Sequence, residues 1–427
     1  MSGFLCRLVL IGVFLFSSAQ AQVAAPEAAT LTAFLPPEAA VKAALIGSPL
    51  LQAARAQKEG TRARAQGIDA GTAEFTLRGT TQQRRDASVG GSMHESMVTL
   101  ERPLRVWGKR DIDANLATAT RALAEVAYAD ALHESARELM SLWFVHLRAL
   151  ADKANAETTL ALAVRMQRLT QSQLRQGEVS QRDADLAQAE SERLRAAHEL
   201  AQAQLASAAA ALTRRYPGMA LPASVPSALA LQAPMALPSL QEGMDALRQT
   251  FLTKNHELNM MRLDAQRLRI AADRALRDRL PDPTVGVFSG RERAGAETVS
   301  GVMLSMPFPG ASRDHQARAA VADAQAAADR VQLAEQRLGA QFEGTWAQFE
   351  RKRAAADSLK SAAQRQALAA DKSVKAYALG EGGLSEVLWI ARVAGDNLLA
   401  AQRMQLDAVE LWALLRLDLH QIWDFDE

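Results

Sequence analysis

Hydrophobic residues follow two different spacings along the chain, and one spacing gives way to the other at two places. Within residues 96–120, SMVTLERPLRVWGKRDIDANLATAT, Val98 and Leu100 alternate with polar neighbours, which is typical of a strand with one apolar face. Further along this stretch the apolar residues recur every three or four positions, which predicts a helix. The same change occurs again about two hundred residues later. The residues predicted to mark these strand-to-helix junctions are Pro103, Gly108, Pro307 and Gly310.

Apolar stripes predict one very long helix and two shorter helices in each half of the chain. The predicted helices are residues 37–67, 110–176 and 180–215 in the first half, and 240–280, 313–379 and 384–423 in the second. At a rise of about 1.5 Å per residue, the long helices would each extend for about 100 Å. In the first half, the two shorter helices together match the long one in length. Because alanine is frequent at the seams, we expect closely packed long hairpins.

Four alternating stretches, two in each half, predict strands at residues 72–81, 93–104, 284–291 and 298–308. Their apolar positions share one face of each strand, and this face is predicted to contact lipid. These positions are Phe75, Leu77, Val98, Leu100, Val285, Val287, Val302 and Leu304. About nine to eleven residues of this alternation suit a tilted strand of an outer-membrane barrel. A half-buried hairpin of a soluble protein has the same alternation, which leaves both interpretations open.

The two halves repeat the same order of elements with the same internal spacing. Arg110 lies 67 residues before Gly177, and Arg313 lies 67 residues before Gly380. This regularity predicts a duplication in which each repeat has a helix, two strands, a long helix and a last helix. The predicted division is a signal peptide at 1–21, a first repeat at 22–215, a Pro-rich connector at 216–238 and a second repeat at 239–427.

The N-terminal residues have the pattern of a Sec signal peptide. Arg7 supplies the positive charge, residues 8–16 are apolar, and the small residues before and at Ala21 predict cleavage after that position. Nine apolar residues are too few to span a bilayer. The single cysteine, Cys6, lies inside this segment, so the mature chain is predicted to have no disulfide and no lipid-bearing cysteine. No later segment resembles a transmembrane helix, which leaves a periplasmic, secreted or strand-anchored protein.

Charge and motif content exclude several classes of function. The 49 Lys and Arg residues nearly balance the 48 Asp and Glu residues, which argues against a nucleic-acid-binding protein. The sequence has no HExxH, GxSxG, GxGxxG or P-loop pattern, so we predict that it is not an enzyme and has no cofactor. The histidines do not pair at ligand spacing along a helix, so no metal site is predicted. They are His94, His133, His146, His198, His256, His315 and His420.

Four strands cannot close a barrel, and an open sheet edge is not tolerated in lipid. Three copies would supply twelve strands, which lies within the range of bacterial outer-membrane barrels. A head-to-tail interface that closes on itself forms such a ring. The sequence therefore predicts a mainly α fold with a small β part. Each chain of a homotrimer would add four strands to a 12-stranded barrel in outer-membrane lipid, with the duplicated helical hairpins forming a periplasmic α-barrel below it.

The order of these motifs resembles the TolC-like outer-membrane efflux proteins. The residues that carry the resemblance are the run 103–110, PLRVWGKR, the run 307–310, PFPG, and the two glycine turns. The element 107–110 is most similar to the CzcC-like heavy-metal branch. The resemblance implies an outer-membrane channel, the exit duct of a tripartite efflux system with a long periplasmic extension. Its partners would be a periplasmic adaptor protein and an inner-membrane RND-type pump. The CzcC-like element implies divalent heavy-metal cations as cargo, and small organic toxins stay open as the alternative.

The resemblance also places an adaptor-contacting tip at the two glycine turns. The residues it implies are Arg175, Gly177, Val179, Ser180, Gly380, Leu384 and Ser385. A plain helix-to-helix turn needs the same glycines, and both interpretations can hold together. Asp183 and Glu386 lie six residues beyond their glycines and would form the periplasmic gate, as rings of negative charge in a trimer. An acid favoured by the helix dipole explains the same positions.

Two other classes of protein compete with the channel. A structural or adhesive periplasmic coiled coil without a channel would have the same helices, although four amphipathic strands and their duplication favour the duct. An adaptor protein would have one helical hairpin between domains rich in short strands, and the sequence does not predict such domains.

Overall fold

The computed structural model describes residues 33–86, 90–231 and 243–425. The predicted signal peptide and its cleavage site at Ala21 lie outside these residues. Within them, the helices are α1 Glu38–Ile46, α2 Pro49–Ala70, α3 Lys109–Gln176, α4 Gln181–Arg215, α5 Met244–Lys254, α6 His256–Asp278, α7 Ala311–Ala378 and α8 Leu384–Asp418. The strands are β1 Thr76–Asp86, β2 Gly91–Pro103, β3 Thr284–Glu292 and β4 Glu297–Ser305. The fold is therefore mainly α with a small β part, as the sequence predicts.

The long helices have equal lengths in the two halves. Helices α3 and α7 each contain 68 residues, and α4 and α8 each contain 35. Helix α3 runs beside α2 and then α4, as shown by a hydrogen bond of 3.0 Å from Arg62 Nε to Glu125 Oε1 and another of 3.0 Å from Arg215 Nε to Glu138 Oε1. Helix α7 runs in the same way beside α6 and α8. Each half is thus one continuous helix packed against two shorter ones.

The prediction of a single first helix in each half is wrong. The segment 37–67 is divided between α1 and α2, because Ser48 caps α2 by accepting a hydrogen bond from Leu51 N at 3.3 Å and Pro49 occupies the first helical position. The segment 240–280 is divided between α5 and α6. Asn255 ends one helix and caps the next, accepting from Leu258 N at 2.8 Å. Short polar caps therefore interrupt a helical pattern that apolar spacing alone made continuous.

The main core lies where α3, α7 and α8 meet α1 and the connector. Its largest fully buried side chains include Phe144, Phe349 and Trp412. Tyr216 opens the connector and is also buried, and its hydroxyl donates to Ser135 O at 2.9 Å. Burial raises the pKa of Tyr216, and the neighbouring carboxylate of Glu138 raises it further. The described part of the predicted connector has only one short 3₁₀ turn and is packed against the helices, while residues 232–238 lie outside the described residues.

The four strands form one antiparallel sheet in the order β1-β2-β3-β4. Leu77 pairs with Leu100, Leu100 with Val287, and Val287 with Val302, so one residue from each strand contributes to a continuous row. Strand β1 begins later than the alternation predicted, and Phe75 lies just before it. None of the helices in the described residues combines the length and apolar character that crossing a bilayer would require.

Candidate functional site: an exposed sheet and a helical tip

The sheet places its apolar residues on the face that is exposed. The row of Leu77, Leu100, Val287 and Val302 lies on this face, and each side chain is at least 40% exposed. The other predicted lipid-contacting residues are exposed too: Phe75, Val98, Val285 and Leu304. The next row away from the helices consists of Gly79, Val98, Ser289 and Ser300. The apolar band therefore covers the half of the sheet nearest the helices.

The opposite face of the sheet mixes polar residues with the apolar Met97, Phe288, Val299 and Met303, and it is less exposed on β2 and β3 than on the edge strand β1. On β2 it presents Glu95, Thr99 and Glu101, which are buried or half-buried. Arg78 Nη2 donates to Glu101 Oε1 at 2.8 Å, and Gln82 Nε2 donates to Glu95 Oε2 at 2.8 Å. A soluble sheet normally buries its apolar face and exposes its polar one. This sheet instead exposes an aliphatic row and keeps carboxylates on its other face, a pattern that a barrel with lipid outside and water inside also has.

The two outer strands leave backbone edges open. Strand β1 pairs only with β2, and β4 pairs only with β3, among the strands of the described residues. An exposed edge presents unpaired N–H and C=O groups that another strand can join. Both edges lie in the same sheet as the exposed apolar row. The arrangement can thus accept a further strand at each side.

The first junction is built around Trp107 and Gly108. Both residues have left-handed backbone angles, φ 62° and φ 71°, so the chain turns sharply between β2 and α3. The Trp107 indole Nε1 donates to Pro281 O at 3.1 Å. Lys109, the first residue of α3, donates from Nζ to Leu280 O at 2.7 Å. The junction of the first half is therefore fastened to the segment between α6 and β3 of the second half.

A cluster of charged residues lies beneath this junction. Lys109 has a side chain that is only 1% exposed, and its Nζ lies 3.1 Å from Asp278 Oδ1 and 3.0 Å from Asp282 Oδ1. Arg274 donates from Nε to Asp113 Oδ1 at 2.6 Å and also pairs with Asp278. Burial alone would raise the pKa of Asp278, but hydrogen bonds from Arg274 and Lys109 outweigh it and lower that pKa. A buried ion network thus joins the base of the sheet to both halves.

The second junction has a different local structure. Pro103 ends β2, whereas Pro307 and Gly310 both lie in the segment between β4 and α7. Gly310 precedes α7 with an extended backbone, φ −108°, a conformation that does not require glycine. Arg313 Nη1 donates to Asp278 O at 2.6 Å, so this junction contacts the same end of α6. The role of these four residues as marks of the strand-to-helix change stays a prediction.

The first turn of the opposite end joins α3 to α4. Gly177 has φ 77° and ends α3, with its N–H donating to Leu174 O at 3.0 Å. Ser180 and Asp183 form a capping box, in which Asp183 N donates to Ser180 Oγ at 3.3 Å and Ser180 N donates to Asp183 Oδ2 at 3.4 Å. Arg175 is exposed and Val179 is half-buried. The turn is a tightly capped hairpin end that presents polar side chains to solvent.

The second turn joins α7 to α8. Gly380 has φ 83°, and Ser385 is exposed in the first turn of α8. Leu384 is only 4% exposed and packs with Met166 and Tyr377 in a small core between the two hairpins. Its predicted contact with a partner therefore does not agree with its position, because the side chain points into the tip. The exposed apolar residues at this end are instead Leu379 and Trp389, at 81% and 58% exposure.

The two predicted gate residues have different surroundings. Hydrogen bonds from Ser180 lower the pKa of the Asp183 carboxyl, and they commit that carboxylate to the helix cap. The Glu386 side chain is exposed and makes no hydrogen bond or ion pair with any other described residue, while its backbone N–H donates to Gly383 O at 3.2 Å. Its position in α8 matches that of Asp183 in α4, without a capping side chain at Gly383. The assignment of either residue to a gate stays a prediction.

Sequence reasoning did not find two clusters that the tertiary structure creates. The ion network at Lys109 pairs residues of the two halves that are 161 to 173 positions apart in the chain, which no local pattern reveals. Three histidines also lie together, with ring centroids 4.9–5.4 Å apart. They are His133, His256 and His420. Spacing along one helix does not detect this group, because its members come from different elements, and the absence of a metal site stays a prediction.

No family model matches the sequence, and no curated protein has a significantly similar sequence. Several solved structures are similar in fold. They include CusC (16% identity, 90% of this chain and 91% of that chain, TM-score 0.72), the outer membrane protein VceC from Vibrio cholerae (17%, 93% and 96%, 0.71) and the open MtrE outer membrane channel of Neisseria gonorrhoeae (17%, 90% and 88%, 0.71). The chain thus has the fold of these solved structures.

Proposed function

We propose that the chain is the exit duct of a tripartite efflux system, a homotrimer that crosses the outer membrane and extends through the periplasm. The observation that carries the proposal is the exposed aliphatic row of the sheet, which lies opposite a face that bears the partly or fully buried carboxylates Glu95 and Glu101. In water an exposed row of Leu77, Leu100, Val287 and Val302 is unfavourable, and in lipid it is favourable. The fold similarity to outer-membrane channels and the TolC-like resemblance support the same function.

Three copies supply what one chain lacks. The open edges of β1 and β4 would join in neighbouring subunits, which gives twelve strands and leaves no edge in the lipid. The hairpins would continue below as a tube. Each 68-residue helix is about 100 Å long, which is sufficient for a long periplasmic extension. Export by the predicted Sec signal peptide would deliver the chain to this location.

The tip is proposed to contact the periplasmic adaptor, which in turn joins an inner-membrane RND-type pump. The exposed residues Arg175, Ser180, Ser385 and the glycines of both turns fit this contact, because a small, polar, tightly turned end leaves room for a partner hairpin. The pump would provide the energy, since the duct itself is passive. Exposed Glu386 is proposed as the acid of a negatively charged ring that favours cations at the closed end.

Divalent heavy-metal cations are the proposed cargo, and this part depends on the CzcC-like element at 107–110. The fold does not separate branches of channel, because the similarities to CusC, VceC and MtrE are nearly equal, with TM-scores of 0.71–0.72. In the structure Trp107 and Lys109 fasten the junction by contacts to Pro281 and Leu280. This element therefore has a structural role, and cargo has to be tested in cells.

Two measurements test the duct. Outer-membrane fractions should contain a heat-resistant trimer whose circular dichroism spectrum includes a β-sheet contribution. The purified trimer should conduct ions after insertion into a planar bilayer. A soluble, monomeric helical rod would overturn the proposal and support the structural or adhesive coiled coil. Cargo is tested by comparing the sensitivity of a deletion strain to zinc, cobalt, cadmium and several organic toxins. Sensitivity confined to the organic toxins would contradict the metal assignment and leave the duct intact.

A further inference from the structure

Three histidines from separate elements meet on one side of the helical body. His133 lies in α3, His256 is the first residue of α6, and His420 lies two residues beyond the end of α8. Their ring centroids are 5.4, 5.3 and 4.9 Å apart in pairs. One candidate ligand atom from each ring can be chosen so that all three atoms lie within 4.8 Å of one another. All three residues are partly buried.

Two of the rings have a carboxylate at one nitrogen. The distance from His133 Nε2 to Asp418 Oδ1 is 3.2 Å, and that from His420 Nδ1 to Asp424 Oδ1 is 3.3 Å. Histidines that bind metal usually donate the proton of the other ring nitrogen to a carboxylate or carbonyl, which orients the ring and increases its basicity. The pairing here has that form, with a different carboxylate for each ring. It fixes the orientation of two of the three rings before any ion is bound.

The backbone at His420 is unusual for a non-glycine residue. His420 follows the last turn of α8 with φ 56°, in the left-handed region. Comparable turns at the ends of α3 and α7 use Gly177 and Gly380, which adopt this conformation without steric cost. A side chain at such a position is uncommon, although histidine is among the residues that tolerate it. The chain thus places an imidazole where the other two helix ends have none.

The surroundings of the three rings suit a small cation. A cavity of about 10 Å³ adjoins His133, His420 and Asp424 but is not lined by His256, and it has room for a single ion or water. Asp418 and Asp424 supply negative charge beside the rings, and Arg137 pairs with Asp418 and neutralises part of it. His133 and His420 are stacked, and His256 meets both edge-on. A cluster of three imidazoles beside carboxylates is favourable when a cation lies between the rings.

We propose that His133, His256 and His420 bind one divalent transition-metal cation, of the zinc class, as a structural clamp. Three neutral imidazoles match the preference of zinc, copper and nickel for nitrogen ligands, and they leave a fourth position for water or a carboxylate. For a zinc–nitrogen distance of about 2.1 Å, tetrahedral ligand atoms lie about 3.4 Å apart, so no pair of ligand atoms would need to approach by more than about 1.4 Å. The ion joins α3 of the first half to α6 and the C-terminal end of α8. The clamp does not depend on the proposed channel.

Metal titration of the full-length protein tests the clamp. Protein purified in detergent and stripped with a chelator is titrated with Zn²⁺ by calorimetry, and its thermal unfolding is followed with and without the ion. We expect one ion per chain and a higher unfolding temperature with zinc. H256Q should lose this binding, and D424N should weaken it about 10- to 100-fold. H315Q changes an exposed histidine on α7, outside the cluster, and should bind as the wild type does.

A cobalt experiment gives a positive signal that does not rely on loss of binding. With Co²⁺ the wild type should develop the visible absorption of a tetrahedral site, and H256C should add a thiolate-to-cobalt band in the near ultraviolet. The only cysteine of the natural sequence is Cys6, in the predicted signal peptide. Absence of stoichiometric Zn²⁺ binding by the wild type would overturn the clamp, and so would equal binding by H256Q. A folded trimer that does not bind zinc would contradict the clamp alone.

Discussion

Replacing Val302 by arginine distinguishes a membrane barrel from a soluble hairpin. The barrel predicts that arginine costs more at Val302 than at the neighbouring Met303, and the soluble hairpin predicts the opposite order. Val302 lies on the apolar face of β4 and is 84% exposed, whereas Met303 is half-buried on the other face. In the proposed barrel, V302R faces lipid and M303R faces the water-filled interior. In a soluble hairpin both positions contact water, and the half-buried Met303 is the position whose replacement costs more. The two substitutions are matched in depth, since they are adjacent on one strand.

The magnitude follows from the position of Val302 along the strand. An arginine on the lipid face costs about 2–4 kcal/mol at the bilayer midplane and about 0–1 kcal/mol near the interfaces. Val302 lies three residues from the helical end of β4 at Ser305, which is about 7 Å above that end for a strand tilted by about 45°. An intermediate cost of about 2 kcal/mol per chain follows, or about 6 kcal/mol per trimer. On a water-exposed surface the same change stays within about 0.5 kcal/mol.

The assay is the amount of heat-resistant trimer in outer-membrane fractions, resolved by electrophoresis without boiling. We expect V302R to be depleted at least about tenfold, since about 1.4 kcal/mol corresponds to a factor of ten, and M303R to remain close to the wild type. A normal amount of V302R trimer together with depleted M303R would refute the lipid-facing assignment. Normal amounts of both variants would refute it as well, because the exposed row would then not contact lipid.

Three further predictions concern the junction and the tip. K109M removes an ammonium that donates to Leu280 O at 2.7 Å, and it should lower the free energy of unfolding by about 2–3 kcal/mol in denaturant titrations. The control K153M removes a partly exposed lysine paired with Glu157 and should lower it by about 0.4 kcal/mol. Equal losses in the two variants would contradict the ion network around Lys109. Burial raises the pKa of the Asp278 carboxyl, but hydrogen bonds from Arg274 and Lys109 lower it below the unfolded value of about 3.9. Its contribution to the free energy of unfolding is therefore full above the unfolded pKa and is lost as the pH falls through the lowered folded pKa. Wild-type stability that does not fall in this acid range, in denaturant titrations against pH, would contradict this. S180A removes a capping box and should accelerate hydrogen exchange of the backbone amides of residues 181–184, because the free energy that opposes opening of this helix end falls by about 1 kcal/mol. Unchanged exchange would show that the cap is dispensable.

Much of the fold was predictable because the dominant signals are local and repeated. Apolar spacing gives the long helices to within two residues at each end, since α3 and α7 have long stripes and are closed by Gly177 and Gly380. Alternation gives the strands and places Leu100 and Val287 on their exposed face. The pairing of β2 with β3 joins the two halves, and no residue pattern predicts it. It is expected only if all four strands belong to one sheet.

The remaining features depend on contacts between distant segments. Lys109 appears in the sequence as an ordinary basic residue at a helix start, and its burial against Asp278 and Asp282 depends on how α3 meets α6. His256 and His420 are separated by 164 residues, and their approach depends on the end of α8 turning back. The breaks at Ser48 and Asn255 were detectable in principle, because both are strong N-cap residues.

The α3–α4 and α7–α8 turns occupy matching positions, but the first is held by more local contacts than the second. This difference affects which hairpin would move if a closed tip opened. The first end has a capping box at Ser180, worth about 1 kcal/mol, and a single glycine at the turn. The second has Gly380, Gly382 and Gly383, no capping side chain, and an unengaged carboxylate at Glu386. Glycine loses the most conformational freedom on ordering, so the second end is easier to rearrange. A tip that opens by moving one hairpin would therefore move α7 with α8, while α3 with α4 remains in place.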